Sequence, residues 1–339
     1  MTTSGVLPIA LLAAAAVQGG DDFLSLVRKA GNRREPEERV EYYTRALSAW
    51  APGHGAGLLA ACRFGRGEAR YETGRFAEAL PDLEGALEGD PGNARALFLR
   101  GRILLHQAYM ADEPSPDAVR LLTEYAALKP EDPEGLIALG RAQLLARRFE
   151  AARASFGLAA RLAPSDPRPR LGSGRAFRAQ RRWVAAREEL DSAEALAKSR
   201  DPDVPAERAA WSLAQGDEKG ALAGLDRALP RQEELLLELV RSRALPVEVF
   251  ERQAAAGRAY LGRGTLRENR GDAAGAREDY EAGCRHGDKS CCARAEALRK
   301  APARKTEAAP PIRPKPAPKR RRPRLPEPES APGERIYGS

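Results

Sequence analysis

A chain of 339 residues with 42% hydrophobic and only 6% aromatic residues is long enough for a large core or for more than one domain, and its abundance of Ala, Leu, Arg and Glu favours helix over sheet. The formal net charge of +8 belongs almost wholly to the end of the chain: Lys300 to Ser339 hold 11 Lys and Arg against 4 Glu, and the body before them is nearly neutral. Cys62, Cys284, Cys291 and Cys292 are too few for a disulfide-built scaffold, and His54, His106 and His286 stand too far apart to form a metal site without help from the fold.

The first element is the uncharged run VLPIALLAAAAV, Val6 to Val17. It is too short to cross a bilayer as a helix, which takes about 20 apolar residues. It fits the apolar part of a secretory signal over residues 1–18, with Ala14, Ala15 and Ala16 as the small residues before a cleavage point, although no Lys or Arg precedes it. That reading expects a secreted or periplasmic protein. If the run is instead a first packed helix, the alternative is cytoplasmic.

From residue 19 to 299 the chain repeats itself. GEARYETGRFAEALPDLEGALEGDP, Gly67 to Pro91, returns as GRAQLLARRFEAARASFGLAARLAP, Gly140 to Pro164. A third copy starts at Gly174, 34 residues after Gly140. Small residues on the first helix let the second cross closely. Phe76, Phe149 and Trp183 fill the meeting point, and Ala79, Ala152 and Ala186 sit at the tightest contact. Pro91 and Pro164 end the second helix, because proline lacks the amide donor and clashes with the preceding turn. Gly74 suits a turn with positive φ.

Looser copies follow the same punctuation. Glu37 to Gly53 reads as the second helix of a degenerate first unit. Leu97 to Pro130 carries the insertion AYMADEPSP in its turn. Trp211 to Leu229 and Leu261 to Cys284 are the last two, for about seven units, and the stretch from Leu229 to Arg258 fits the period badly.

This pattern resembles the tetratricopeptide repeat, a 34-residue helix–turn–helix. The resemblance implies an all-α, right-handed α-solenoid of about seven hairpins, whose concave face binds a protein or peptide partner and performs no catalysis. In that family, position 9 of the first helix faces the groove, which here selects Glu68, Arg102, Arg141 and Arg175. Arg95, Arg168 and Arg178 fall at neighbouring groove positions. The implied groove is basic and accepts an acidic segment or a chain-terminal carboxylate, because the guanidinium fork binds carboxylate in pairs. The alternative is a set of solvated arginines in an Arg-rich chain.

The last unit ends in CRHGDKSCC, Cys284 to Cys292, similar to Sel1-like relatives of the repeat in which such a pair forms a disulfide. Two other readings stay open: plain buried thiols, or a zinc site using Cys284, His286, Cys291 and Cys292, which lacks paired ligand spacing. A bridge would support export.

Other signals are weaker. FGRGEA and LGSGRAF sit inside first helices and follow no strand, so they do not read as phosphate loops. Glu188 and Glu189 lie on an exposed helical face, and Trp50, Trp183 and Trp211 read as core. No cofactor or catalytic set is expected. The segment 300–339 is proline-rich and basic, and is expected to be disordered. Its densest charge is KRRRPR, Lys319 to Arg324. That run could meet nucleic acid, an anionic polymer or an anionic surface, or be a plain solvated spacer. A nucleic-acid-associated repeat protein is therefore the rival to the scaffold.

Overall fold

Helix starts follow from short polar caps. Asn93, Ser115, Asp132 and Asp166 each accept a backbone amide of the following turn, and proline follows directly after the last three, where its missing donor leaves nothing unpaired. Hairpin turns need one residue in the left-handed region. Gly74, Gly216 and Gly271 supply it at φ 76°, 79° and 82°, and Arg147 and Arg181 take the same conformation at 59° and 58°. The turn is thus held even where a side chain makes it unfavourable.

The computed structural model describes residues 22–197 and 201–300; the apolar run Val6 to Val17 and the basic tail lie outside the described residues. Among the described residues there are fifteen α-helices and no strand. They pair in order into seven hairpins: α1 (Phe23–Gly31) with α2 (Pro36–Ser48), α3 (Ala56–Glu72) with α4 (Phe76–Gly89), α5 (Ala94–Ala111) with α6 (Pro116–Leu128), α7 (Pro133–Leu145) with α8 (Phe149–Leu162), α9 (Pro167–Ala179) with α10 (Trp183–Ala197), α11 (Asp203–Ala214) with α12 (Glu218–Arg241), and α13 (Pro246–Asn269) with α14 (Ala273–Arg285). A last helix, α15 (Lys289–Lys300), covers the end. The result is an α-solenoid.

One spacing sets the packing inside a hairpin. A glycine on the first helix faces a large apolar side chain sixteen residues later: Gly67 with Leu83, Gly140 with Phe156, Gly174 with Leu190, Gly264 with Tyr280. A Cβ at these glycines would stand only 2.7 to 3.2 Å from that side chain, so the small residue is what lets the helices close. In the hairpin of α11 and α12, Ala209 and Leu225 keep the interval and share a core cluster. In that of α5 and α6, Gly101 meets Leu122, five residues later than the rule, which is the room taken by the longer turn.

A buried polar position rides beside this stripe. Asp82 is 4% exposed and receives Arg66 and Arg70 at 2.6 and 2.7 Å. Asp279, 2% exposed, receives Arg263 and Arg267 at 2.7 and 3.0 Å. Between them Ser155 holds the equivalent place and donates to Gln143. Each buried carboxylate is therefore paired, as burial of charge demands.

Neighbouring hairpins join chiefly where the second helix of one packs on the first helix of the next, and successive first helices also touch: α3 with α5, α5 with α7, α7 with α9, and α9 with α11. The first helices therefore crowd the inner side of the array and line its concave face.

Two helices break the pattern. α12 and α13 run 24 residues each. α12 continues through Pro230 to Arg241, and α13 starts at Pro246, so the badly fitting stretch Leu229 to Arg258 is an extension of one helical pair. Some twelve added residues per helix reach about 18 Å. Their tip returns to the early hairpins: Val247 is buried within the core formed by Tyr71, Phe76, Leu83, Phe98 and Ile103.

Candidate functional site

The groove arginines sit on first helices, and each meets a carboxylate of the same chain. Arg95 Nε lies 3.1 Å from Glu68. Arg168 contacts Asp166 at 2.7 Å and also Glu134. Arg175 and Arg178 share Glu207 of α11, at 2.9 and 2.5 Å. Arg102 and Arg141 grip the two oxygens of Glu251, at 3.1 and 2.9 Å. The six arginines thus fall into four groups, each on its own carboxylates.

Glu251 is the residue that sequence reading did not single out. It stands on α13, 149 residues from Arg102 and 110 from Arg141. Burial pushes its pKa up, but Arg141 and Arg102 outweigh it and hold the carboxyl down at about 2. Beside it the Phe250 ring lies 6.0 Å from Phe76 and 5.8 Å from His106. Burial pushes the His106 pKa below its ordinary value, with Arg102 adding to this and Glu251 opposing it. The only hint of this site in the sequence was the stretch that broke the period.

Next to this contact the concave face opens into a cavity of about 470 Å³ bounded by α5, α7, α9, α11, α12, α13 and the start of α8. Leu144, Leu145, Phe149 and Leu213 form apolar wall, while Arg175, Arg178, Arg258, Asp203 and Glu207 bring charge. Asp203 accepts from Arg252 at 2.8 Å and from Gln232 at 2.9 Å. Its pKa is lowered because Arg252 and Arg175 outweigh burial. Arg258 differs from the other arginines. Its guanidinium lies 5.7 Å over the Tyr109 ring and forms no ion pair among the described residues. Burial and the nearby Arg175 push its pKa down.

The cysteines separate. Cys284 and Cys292 are bonded, with sulfurs 2.00 Å apart, across the turn from α14 to α15. Cys291 is buried with Sγ 3.8 Å from the Gly257 carbonyl, and burial pushes its thiol up to about 12, as it does that of Cys62. Neither thiol is activated for attack. His286 turns to Glu233 at 2.7 Å and stacks on Tyr260. Among the described residues no three His, Cys, Asp or Glu side chains gather as metal ligands, and no helix is long and apolar enough to cross a membrane.

The family model for the tetratricopeptide repeat matches residues 64–114 and 107–167. Among solved structures, a tetratricopeptide repeat protein from Parabacteroides merdae superposes with a TM-score of 0.62 at 17% identity, over 82% of this chain and 99% of that one. This likeness speaks for the fold alone. Sperm-associated antigen 1 of Mus musculus is 43% identical over 72 residues, and its Rattus norvegicus counterpart 41% over 71. Those segments span 21% of this chain and 7% of either relative. With helical hairpins already stacked at the glycine spacing described above, the match identifies residues 64–167 of this chain as tetratricopeptide repeats.

Proposed function

We propose that the chain is a non-catalytic scaffold that takes an acidic protein or peptide partner in the cavity of its concave face. Arrays of this family serve in general as protein-interaction scaffolds, and the observation that carries the finer reading is Arg258. It stands in a partly apolar cavity without an ion-pair partner of its own among the described residues, beside Arg175 and Arg178, which share Glu207. A carboxylate entering there gains a charge-assisted bond that the chain does not supply itself. Leu144, Leu145 and Phe149 offer the apolar surface such a segment needs.

The test is fluorescence anisotropy with a labelled peptide of alternating Leu and Glu. Arg258→Glu is expected to weaken binding about tenfold or more, since a rim attraction becomes a repulsion in a partly desolvated site. Equal affinity of the two proteins would remove the reading. Truncation after Lys300 is the second arm. The charge of the tail favours a rival in which residues 301–339 hold nucleic acid or another anionic polymer. Under the cavity reading truncation leaves peptide binding unchanged. Loss of binding on truncation, with a steep dependence on salt, would favour the rival.

We also infer export. The apolar run Val6 to Val17 and the Cys284–Cys292 bond support it, since such bonds persist in oxidising compartments. The mass of the mature chain checks it: removal of residues 1–18 is expected, and an intact N-terminus on the purified protein would refute it.

A further inference from the structure

The base of the extension belongs to the sixth and seventh hairpins, where Gln232 and Arg252 donate to Asp203 and Glu233 accepts from Tyr260, while the glycine-spaced contacts of those hairpins lie outside it. Ala209 packs near Leu225 and Gly264 against Tyr280 with no help from residues 230–257. Yet the extension runs to the early repeats and ends in a specific seat. Pro246 fills the space beside Gly74, where a Cβ would stand 2.9 Å from the proline Cβ. Val247 is 1% exposed. Phe250 edges onto Phe76 and His106, and Glu251 forks to Arg102 and Arg141. Three consecutive features of one helix face, an aliphatic, an aromatic and a carboxylate at i, i+3 and i+4, meet an apolar notch and two guanidiniums.

The tip itself is only half covered. Leu237, Val240, Leu245 and Phe250 are 53%, 56%, 37% and 40% exposed. A strut that served packing alone would bury this apolar edge, whereas here the contact is made by Pro246, Val247, Phe250 and Glu251.

We propose that the seat on α3, α4, α5 and α7 is a docking site for a partner helix presenting the same aliphatic–aromatic–carboxylate triplet, and that the α12–α13 tip is a tethered competitor which this partner displaces. The proposal rests on the concave face being a protein-binding surface, but uses a different part of it from the cavity at Arg258. A tether keeps the tip at an effective concentration of about millimolar. An external helix of equal intrinsic affinity is therefore excluded at lower concentration, and a partner must bind more tightly or meet a loosened tip.

The probe is a labelled peptide of this chain's own residues Pro246 to Arg258, titrated against the full chain. Weakening the internal copy with Phe250→Ala and Glu251→Gln together is expected to tighten peptide binding about tenfold or more over wild type. Adding Arg102→Glu and Arg141→Glu to that variant is expected to abolish it. Equal affinity of wild type and the double variant overturns the proposal. Hydrogen exchange on the wild-type chain gives a reading that needs no variant: residues 236–251 are expected to exchange about a hundredfold faster than α7 and α9, and equal protection makes the tip a fixed strut. Arg258→Glu leaves this peptide's binding unchanged if the two sites are separate, so failure of the cavity reading and failure of this one are distinguishable.

Discussion

Phe156→Ala is expected to destabilise the central repeats by about 3–5 kcal/mol, the range for removing a buried aromatic ring. The ring is 1% exposed and lies between two glycines on different helices. A Cβ at Gly140 on α7 would stand 2.7 Å from it, and one at Gly172 on α9 would stand 2.5 Å away. One side chain therefore closes its own hairpin and seals that hairpin to the next. Neither neighbour can fill the void, because glycine has no side chain to move in. In a repeat array, stability is close to a sum of unit and interface contributions, and this substitution strikes both. Urea unfolding followed by circular dichroism measures the loss. Leu162→Ala, at a position 44% exposed, serves as the control and should shift stability by less than about 0.5 kcal/mol. A comparably small change for Phe156→Ala would show that the ring does not bridge the two units.

Acid is expected to release the α12–α13 tip before it unfolds the array. Glu251 titrates at about 2 in the folded chain against an ordinary 4.5, because Arg141 and Arg102 outweigh its burial. A carboxylate lowered by folding adds stability that is complete above about 4.5 and vanishes as pH falls through 2. The shift corresponds to about 3 kcal/mol. His106 acts in the same direction from a higher starting point. Burial lowers its pKa, so its contribution is whole above about 6.5 and declines as acid protonates the unfolded chain first. The stability difference between wild type and Glu251→Gln isolates the first effect. It should stand near 3 kcal/mol at pH 7 and shrink toward zero at pH 2. A difference that stays constant over that window would mean that the two arginines do not hold this carboxylate.

The repeating part of this fold was legible because its physics is local. Small residues at Gly67, Gly140 and Gly174, aromatics at Phe76, Phe149 and Trp183, and prolines after the second helices each act within one hairpin or on its next neighbour. The sequence therefore yields the hairpins, their number and their register. It also places Arg102, Arg141, Arg168 and Arg175 on the inner helices. What it does not yield is their partners. Glu251 lies more than a hundred residues from both arginines it binds, and no periodic pattern encodes a contact at that distance. The stretch from Leu229 to Arg258 looked like a defect of the period because an extended helical pair has no counterpart in the other units. The turn positions teach a smaller lesson. Gly74 suggests positive φ, and Arg147 and Arg181 do not, yet all three adopt it, because the crossing of the two helices, more than the residue, dictates the turn.

An array in which every hairpin touches only its neighbours can gain or lose members without notice. This one cannot, because a rod anchored in the sixth and seventh hairpins ends against the second, third and fourth. The rod works as a gauge: its length matches one count of intervening members and no other. Duplicating the hairpin of α9 and α10 would keep the kind of contact made between neighbours and still move Glu251 away from its arginines. The extension thereby ties separate stretches of a linear molecule into a loop.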